Sequence, residues 1–563
     1  MKRTVKQNSI LQLTLGTTVI VLLNVIASFV FTRFDLTSEK RFTLSRATKE
    51  MLTNLHDVVY VKVYLEGEFP AAFKRLRNST RETLDEFRVY AGDNLQYEFV
   101  DPSASKDIKE RNQLYQQLAS MGLQPTNLEV RDKGGSSEKI IFPGAVLYYR
   151  NQPVAAQLLK DQVGASPEEM LNNSIQGLEY ELANSIHKVT RPERPVVRFI
   201  IGHGESEQMK IVDIVHTLSE NYDVDTLSIN GKLSALNDCK LIVIANPKNR
   251  FDERDKFILD QFVMKGGKIL WLVDMMDATM DSLVTGNAAV SVARDLNIED
   301  MLFKYGVRVN PNLVLDLQAA LIPIVTSYVG NQPQQRLLPW YYYPLIFSSG
   351  EHPVVRNLDA VRCEFVSSID TVEAPGINKT VLLSTSAQSR IAVAPVRIAL
   401  SILEHEPDAK QFNKGRQPVA VLLEGTFTSL YENRIPTEIA SSREIKFREK
   451  SAPTKMIVIS DGDMIENKVR KSGAIYPLGY DRYTDRIYGN KAFLLNCIDY
   501  MIDDSDLISA RTKQVKLRLL DKTKLAESKD SISYMNVSLP VVLVILAGII
   551  KYYLRKRKYE RYV

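Results

Sequence analysis

LIVIANPKNRFDERDKFILDQFVMKGGKILWLVD, residues 241–274, decides the fold of most of this chain. It begins with five apolar residues, and a second apolar run follows at 269–273. Between them, Asp252 is placed to cap the start of a helix, and the pair Gly266-Gly267 is placed to end it. A strand, a helix and an apolar strand at this spacing predict two parallel strands joined by a right-handed crossover. Strands that are apolar throughout are typical of a sheet covered on both faces.

The same pattern continues on both sides of this stretch. Upstream, Val196–Ile201 predicts a strand and 206–221 a helix, and the segment ArgProGluArgPro at 191–195 marks a domain boundary ahead of them. We therefore predict a larger parallel-sheet α/β domain over 191–510. Its further predicted elements are strands at 313–315, 380–384, 419–423 and 456–460 and a closing helix at 492–501.

A smaller α/β domain is predicted over 35–190. Its strand–helix–strand order is similar to that of thioredoxin-type folds, and it ends in a long helix. Ser166, Pro167 and Glu169 are a helix start signal, with a capping serine, a proline at the first position and a glutamate at the third. The apolar stripe of this helix is expected to pack on its own domain, since five turns are short for a coiled coil with a partner. The other predicted elements are strands at 58–65 and 95–100, helices at 70–90 and 106–121, and hairpins at 129–141 and 146–159.

Both ends of the chain predict membrane spans. Residues 10–31 contain no Asp, Glu, Lys or Arg, and a helix of this length is about 33 Å long, against about 30 Å for the hydrocarbon core. We expect an uncleaved anchor, because the run is too long for a signal peptide and lacks a good cleavage site. A second transmembrane helix is predicted at 537–554, with Pro540 in its first turn, where a missing N–H costs little. A charged stalk is predicted at 511–535.

The distribution of charge predicts the orientation of the chain in the membrane and argues against nucleic acid as a partner. Residues 1–9 carry +3 and residues 551–563 carry +5, so the tails 1–9 and 555–563 are predicted to be cytoplasmic. The bulk of the chain, 35–535, is then periplasmic, and the protein lies in the inner membrane with two spans. Because the whole chain has a net charge of +5, the part between the tails is mildly acidic, at −3. An acidic domain does not attract the negatively charged backbone of a nucleic acid, so we predict no nucleic-acid partner. The basic tails are expected to contact anionic lipids of the bilayer instead.

The chain lacks the common signatures of nucleotide and metal chemistry. It has no GxxxxGK[ST], HExxH or GxSxG, and the turn Gly202-His203-Gly204 lacks the third glycine of a dinucleotide fingerprint. Its three cysteines are far apart, so they form neither a disulfide framework nor a CxxC metal site. We predict that the chain is not itself an ATPase, and we assign it no cofactor, no metal and no catalytic residue.

Polar residues nevertheless follow several of the predicted strands. His203 and Glu205 follow the first strand of the larger domain, Asp274 follows the third, and Asp461 and Asp463 follow the strand at 456–460. Ligands of open parallel sheets bind beyond the carboxyl ends of the strands, so these side chains are a candidate ligand, metal or hydrolytic site. The alternative is that they end strands and cap helices, as short acidic and glycine-containing turns commonly do.

An aromatic segment, LeuProTrpTyrTyrTyrPro at 338–344, has the most unusual composition in the chain. Trp340 and Tyr342 could form a docking surface for a partner. A proline-braced loop packed on the sheet is the favoured interpretation.

Six segments of the chain have a characteristic order and spacing: 40–45 (KRFTLS), 172–183, 199–205 (FIIGHGE), 244–269, 460–464 (SDGDM) and 516–521 (KLRLLD). Together they resemble the GldG family, the gliding motility-associated accessory subunits of ABC transporters in Bacteroidota. The resemblance covers essentially the whole chain, including both spans. It implies a substrate-binding component that works with a separate ATPase, GldA, and a separate permease, GldF. It also implies a glutamine-amidotransferase-like fold for the larger domain, although the turn GlyHisGlyGlu lacks the cysteine nucleophile of that class.

The sequence leads to one main functional hypothesis and two alternatives. The main one is a non-enzymatic, membrane-anchored periplasmic subunit of an ABC transporter complex involved in gliding motility and surface export, with a GldF-like permease and a GldA-like ATPase as partners. The first alternative is a membrane-tethered hydrolase or metal-binding protein that uses the strand-end residues, which must then lie within about 5 Å of one another. The second is a periplasmic scaffold that binds protein, and a closed cleft large enough for a small molecule would argue against it.

Overall fold

Two units make up the chain, Met1–Lys513 and Gln514–Val563. The computed structural model describes residues 2–29, 43–132, 135–150, 152–160, 166–191, 193–284, 288–330, 332–348, 350, 352–434, 446–470, 473–503, 507 and 522–559. Predictions that concern 30–42 and most of 504–521 lie outside these residues.

The first sheet has the strand order β2-β1-β5-β6, in which β1 and β2 are parallel and the other pairs are antiparallel. This is the order of thioredoxin-type sheets, whereas the sequence analysis compared only the strand–helix–strand order along the chain with those folds. Strands β3 and β4 form a separate two-stranded sheet. The elements up to residue 190 are α1 (Lys2–Phe29), α2 (Arg46–Thr53), β1 (Val59–Val63), α3 (Ala71–Ala91), β2 (Leu95–Phe99), α4 (Ile108–Ser120), β3 (Thr126–Asp132), β4 (Gly135–Ile141), β5 (Gly144–Tyr149), β6 (Gln152–Gln157) and α5 (Pro167–Thr190).

Helix α5 has the predicted start and the predicted packing. The Ser166 hydroxyl accepts a hydrogen bond from the Glu169 N–H, and the Glu169 carboxylate accepts one from the Ser166 N–H, which completes a capping box. Leu178, Leu182 and Ile186 are buried in the same core as α3 and β1. The apolar stripe of α5 therefore packs within its own domain and is not available for a coiled coil.

The second sheet has the order β18-β21-β22-β10-β9-β7-β8. Strands β8, β7, β9, β10 and β22 are parallel, whereas β21 runs against the other six strands. The sheet is therefore mixed, which corrects the prediction of a purely parallel sheet. Its elements are β7 (Val196–Ile201), α6 (Gln208–Ser219), β8 (Asp223–Ser228), β9 (Leu241–Ala245), α7 (Glu253–Met264), β10 (Lys268–Leu272), β18 (Ile377–Ser384), β21 (Pro418–Gly425) and β22 (Thr454–Ile459).

In chain order, the five parallel strands have the arrangement 2-1-3-4-5 of flavodoxin-like sheets. Helix α6 and the closing helix α10 (Asn490–Ile502) cover one face, and α7 and α9 (Glu299–Tyr305) cover the other. Because both faces are covered, the central strands are buried along their whole length. The topological switch point lies between β7 and β9.

Apart from β18, residues 288–399 add short strands and one long ribbon outside this sheet. The ribbon, β14 with β15, contains the aromatic segment, which is therefore a strand and not the predicted loop. The remaining elements are α8 (Asp281–Val284), β11 (Ala288–Ser291), β12 (Val307–Val309), β13 (Asn312–Asp316), β14 (Ala319–Val329), β15 (Gln332–Ile346), β16 (Val361–Arg362), β17 (Ile369–Thr371), β19 (Ser389–Val393), β20 (Val396–Ala399), β23 (Tyr480–Asp481) and β24 (Arg486–Ile487).

The C-terminal unit contains one long helix, α11 (Lys522–Tyr559). Among the described residues, Ser533–Arg557 is the one helical segment long and apolar enough to cross a membrane. The apolar part of α1, Ile10–Leu22, is shorter, so the first predicted span stays a prediction. Pro540 lies inside α11 and not in its first turn, because the helix begins in the charged stalk. That part of the prediction is wrong.

Candidate functional site

The carboxyl ends of β7, β9, β10 and β22 meet at one edge of the second sheet, here called the carboxyl edge. His203 and Glu205 follow β7, Asp274 follows β10, and Asp461 and Asp463 follow β22, as the sequence placed them. The structure sorts these five side chains into two separate groups. One group surrounds His203 and the other joins the three aspartates.

His203 lies between two carboxylates. Its Nδ1 is 3.3 Å from Glu205 Oε1 and its Nε2 is 3.1 Å from Asp255 Oδ2, while its ring stacks on Phe251 with 3.9 Å between ring centroids. Burial alone lowers the pKa of His203, but the hydrogen bonds and charges of Glu205 and Asp255 outweigh it and hold that pKa above its ordinary value. Since both ring nitrogens face carboxylates, neither is available as a general base or as a metal ligand.

The His203 turn also closes the switch point between β7 and β9. The His203 carbonyl accepts hydrogen bonds from the N–H groups of Lys248 and Asn249, at 2.9 and 2.8 Å. Asp255 in turn accepts a hydrogen bond from the Gly231 N–H at 2.7 Å. His203 therefore ties three loops together at the point where sheets of this order usually bind ligands.

The three aspartates form the second group. Asp274 Oδ1 accepts a 2.7 Å hydrogen bond from the Gly462 N–H, which joins the end of β10 to the end of β22. Asn246, at the end of β9, donates a 3.0 Å hydrogen bond to Asp463 Oδ1. A Cβ on Gly462 would lie 2.6 Å from Asn246 Cγ, so this close approach requires glycine. Burial raises the pKa of Asp274 to about 6, although Arg294 Nη1 lies 3.9 Å from its Oδ2.

Asp461 is the most buried member of this group. Its side chain is inaccessible to solvent, its Oδ2 accepts a 2.8 Å hydrogen bond from the Glu364 N–H, and its Oδ1 has no partner. Burial, together with the charges of Asp274 and Asp463, raises the pKa of Asp461 well above its usual range. Burial alone would also raise the pKa of Glu364, but Lys468 and Arg362 outweigh it and lower that pKa to about 2.

The carboxyl edge leaves little space for a ligand. A cavity of about 20 Å³ lies among Arg362, Glu364, Asp463 and Lys468, which is room for about one water molecule. Within the described ranges, no group of three or more His, Cys, Asp or Glu side chains could hold a metal ion. The predicted site residues are thus brought to one edge, where His203 pairs with Glu205 and the three aspartates accept hydrogen bonds from Gly462, Glu364 and Asn246.

A larger cavity lies at the opposite edge of the same sheet, at the amino ends of β9, β10 and β22. Its volume is about 420 Å³, within the range of small-molecule sites. No sequence signal pointed to this edge, because ligand sites of such sheets are expected at the carboxyl ends.

The two aromatic candidates lie elsewhere. Trp340 has no solvent exposure and Tyr342 is 4% exposed, and both belong to a separate core that also contains Phe365 and Phe412. Their side chains therefore do not form an exposed surface.

Several residues that build the carboxyl edge escaped the sequence analysis. Asn246 follows β9 directly, so the strand-end rule that found Asp274 could also have found it. Asp255 is the third residue after the helix cap Asp252, and an acidic residue in a first helical turn was a usable signal. Glu364 and Arg294 follow no long strand of the sheet and carried no such signal.

Comparisons with known proteins place the chain in a class. Residues 194–497, more than half of the chain, match the model of a family described as an ABC-type uncharacterized transport system, and the chain belongs to this family. It is thus an auxiliary component of an ABC-type transport system, and its one apolar C-terminal helix is consistent with membrane anchoring. Residues 38–148 match a domain of unknown function (DUF7088).

The chain is also similar to individual proteins. An uncharacterized protein of Borreliella burgdorferi is 19% identical over 98% of this chain and 99% of its own length. The mmIFT52 N-terminal domain is 15% identical, with a TM-score of 0.30 over 55% of this chain and 98% of that domain. The exo-beta-1,4-mannosidase Op5Man5 of Opitutaceae bacterium strain TAV5 is 10% identical, with a TM-score of 0.19 over 77% of this chain and 49% of the mannosidase. Neither structural likeness is close enough to carry an argument.

Proposed function

We propose that this chain is a non-enzymatic, membrane-anchored subunit that assembles with the permease and the ATPase of an ABC transporter. Membership in the transport-system family carries this proposal. The chain has no nucleotide-binding motif of its own, so the energy for transport comes from the partner ATPase. In the finer form of the proposal, the partners are GldF-like and GldA-like, and the complex serves gliding motility and surface export.

The proposed location is the inner membrane, with two spans and the bulk of the chain in the periplasm. The basic tails and the apolar helix Ser533–Arg557 support this arrangement. Two tethers would fix the orientation of the periplasmic part over the membrane and offer two helices to a permease.

The geometry at the carboxyl edge favours this proposal over a hydrolase. A hydrolase needs a side chain with an atom that can accept a proton from the substrate or from water, or that can bind a metal ion. His203 faces carboxylates with both ring nitrogens, and Asp461 is closed off from solvent. The 420 Å³ cavity at the amino edge is open to solvent, so a scaffold that binds protein stays an alternative.

Affinity purification of the full chain from membranes in mild detergent tests the proposal. We expect an ABC ATPase and a permease to co-purify, and recovery of the chain alone would contradict the proposal.

One variant tests whether the second span contacts the permease. Gly548 has open space around it within this chain, so Gly548→Leu leaves the fold of the chain intact. It should nevertheless reduce permease recovery, because small residues let membrane helices approach closely. Val542→Phe, which adds bulk at an exposed position on another face of α11, is the matched control and should leave recovery unchanged. Unchanged permease recovery with Gly548→Leu, at an unchanged protein level, would show that the second span is only a tether.

A further inference from the structure

The cavity at the amino edge of the second sheet, here called the amino-edge cavity, is lined by cations. Lys240 precedes β9, Lys265 ends α7 and Lys268 begins β10, and all three line the cavity. None of its described lining residues is acidic. A cavity with several positive charges and no negative charge in its wall attracts anions.

Further positive charges lie close to this wall. Burial, and then the charges of Arg448 and Lys446, lower the pKa of Lys265. Two cations thus act on Lys265 from outside the cavity wall. The lysines of the wall are therefore accompanied by further cations, while Asp238 places a negative charge close to Cys239 in the same wall.

The carboxyl end of α7 would ordinarily oppose an anion at this place, because the last carbonyls of a helix carry partial negative charge. Here the chain satisfies those carbonyls itself. The Gly266 N–H donates to the Val263 carbonyl and the Gly267 N–H to the Phe262 carbonyl, which is a Schellman motif. The Thr454 hydroxyl lies 3.1 Å from the Gly266 carbonyl oxygen, to which it donates. The lysine charges therefore dominate the cavity.

The rest of the wall is mixed, with Asn237 and Gln261 beside apolar side chains. Phe257 and Phe262 line it together with Leu236 and Ile258, and Phe257 stacks on Phe447 with 6.3 Å between ring centroids. Apolar walls with a few convergent polar groups are typical of sites for small organic molecules. At about 420 Å³, the cavity is larger than an inorganic anion requires.

We propose that the amino-edge cavity binds an organic anion that joins a phosphate or carboxylate group to an aromatic or acyl body. The anionic group binds at the lysines and the body packs against the phenylalanine rings. This site is independent of the assignment to a transport system, because binding requires no partner subunit.

The chain contains its own reporter for this site. Cys239 lines the cavity and is partly exposed, whereas Cys363 and Cys497 are fully buried. A ligand in the cavity therefore slows alkylation of Cys239. At ten times its dissociation constant the ligand should slow this reaction about tenfold, by mass action.

The experiment follows N-ethylmaleimide labelling of Cys239 in the full detergent-solubilised chain by mass spectrometry. The probes are 2-naphthyl phosphate, neutral 2-naphthol and inorganic phosphate. We expect 2-naphthyl phosphate to protect Cys239 in a saturable way, and the two partial probes to protect it at least about tenfold less well, since each lacks one half of the interaction. Equal protection by 2-naphthol would overturn the proposal. No protection by 2-naphthyl phosphate up to about 1 mM would also overturn it.

Lysine variants give the second arm of this test. Lys240→Gln and Lys265→Gln should each weaken protection about tenfold, because each removes one charge-assisted contact. Lys414→Gln, at an exposed lysine outside the cavity, is the matched control and should not change protection. Continued resistance of Cys363 and Cys497 to the reagent shows that each variant is folded. Full protection in the Lys240→Gln/Lys265→Gln double variant would contradict an anion site.

Discussion

Replacing His203 by glutamine tests whether its interactions hold the carboxyl edge closed. Glutamine has neither the positive charge nor the ring that bridges Glu205 and Asp255. His203→Gln therefore leaves two carboxylates, both nearly inaccessible to solvent, without the cation between them. It also removes the stacking of the ring on Phe251.

The size of the effect follows from the two hydrogen bonds. A hydrogen bond to a charged group contributes about 1.5–3 kcal/mol. At 3.3 and 3.1 Å, the two bonds of His203 are long and belong at the lower end of that range. Together they predict a loss of about 3 kcal/mol in the free energy of unfolding, which agrees with the cost of removing one partner of a buried ion pair.

The effect should depend on pH in one direction. The pKa of His203 is raised in the folded state, while in the unfolded chain it is about 6.5. The contribution of protonated His203 to the free energy of unfolding is therefore fully present below about pH 6.5. It is lost as the pH rises through the pKa of His203 in the folded state. The difference between wild type and His203→Gln should be largest near about pH 6 and should shrink as the pH is raised.

Urea unfolding of the full chain, followed by tryptophan fluorescence, measures this difference. Trp271 and Trp340 are both buried, and Trp271 contacts Phe251 edge-on beneath the His203 ring. His216→Gln, at an exposed histidine, is the control and should change the free energy of unfolding by less than about 0.5 kcal/mol. A His203→Gln effect no larger than that of the control, or one that grows with pH, would refute the assignment of His203 as a buried cation.

Two further predictions concern the second group of carboxylates and the topology. Because the raised pKa of Asp461 keeps its proton in the folded state, wild type loses stability as the pH rises above about 4, the ordinary pKa of the unfolded chain. The variant Asp461→Asn can still accept the hydrogen bond from the Glu364 N–H. It should therefore be more stable than wild type by about 1 kcal/mol or more near pH 8. A lower urea midpoint than that of wild type at this pH would contradict the prediction. Alkaline phosphatase fused after Val563 should be inactive and phosphatase fused after Asp530 active, since the positive-inside rule keeps the basic tail in the cytoplasm; activity after Val563 would contradict the predicted topology.

Local signals in the sequence were sufficient to place most of the elements. The capping box at Ser166 and Glu169 and the glycine pair after α7 act within a few residues along the chain, so they work in the same way in any fold. The continuous apolar character of β9 and β10 was enough to predict two parallel strands covered on both faces. The rule that loops follow the carboxyl ends of such strands then placed His203 and Asp274 at one edge.

The contacts that decide the character of that edge lie between residues far apart in the sequence. His203 meets Asp255 across 52 residues, and Asp461 meets the Glu364 N–H across 97. The reversed direction of β21 and the ribbon of β14 and β15 are also long-range pairings, which periodicity along one strand does not specify.

The sequence by itself therefore determined most of the long helices and the central strands, and which polar residues stand at strand ends, because those choices depend on neighbours a few positions away. Only the tertiary structure decided what those residues do. It closed the carboxyl edge by pairing His203 with two carboxylates and burying Asp461, and it left the amino-edge cavity open among Lys240, Lys265 and Lys268. Burial and the sign of the surrounding charge are set by segments that meet only when the sheet assembles, and they determine whether a charged side chain holds the fold together or faces a ligand.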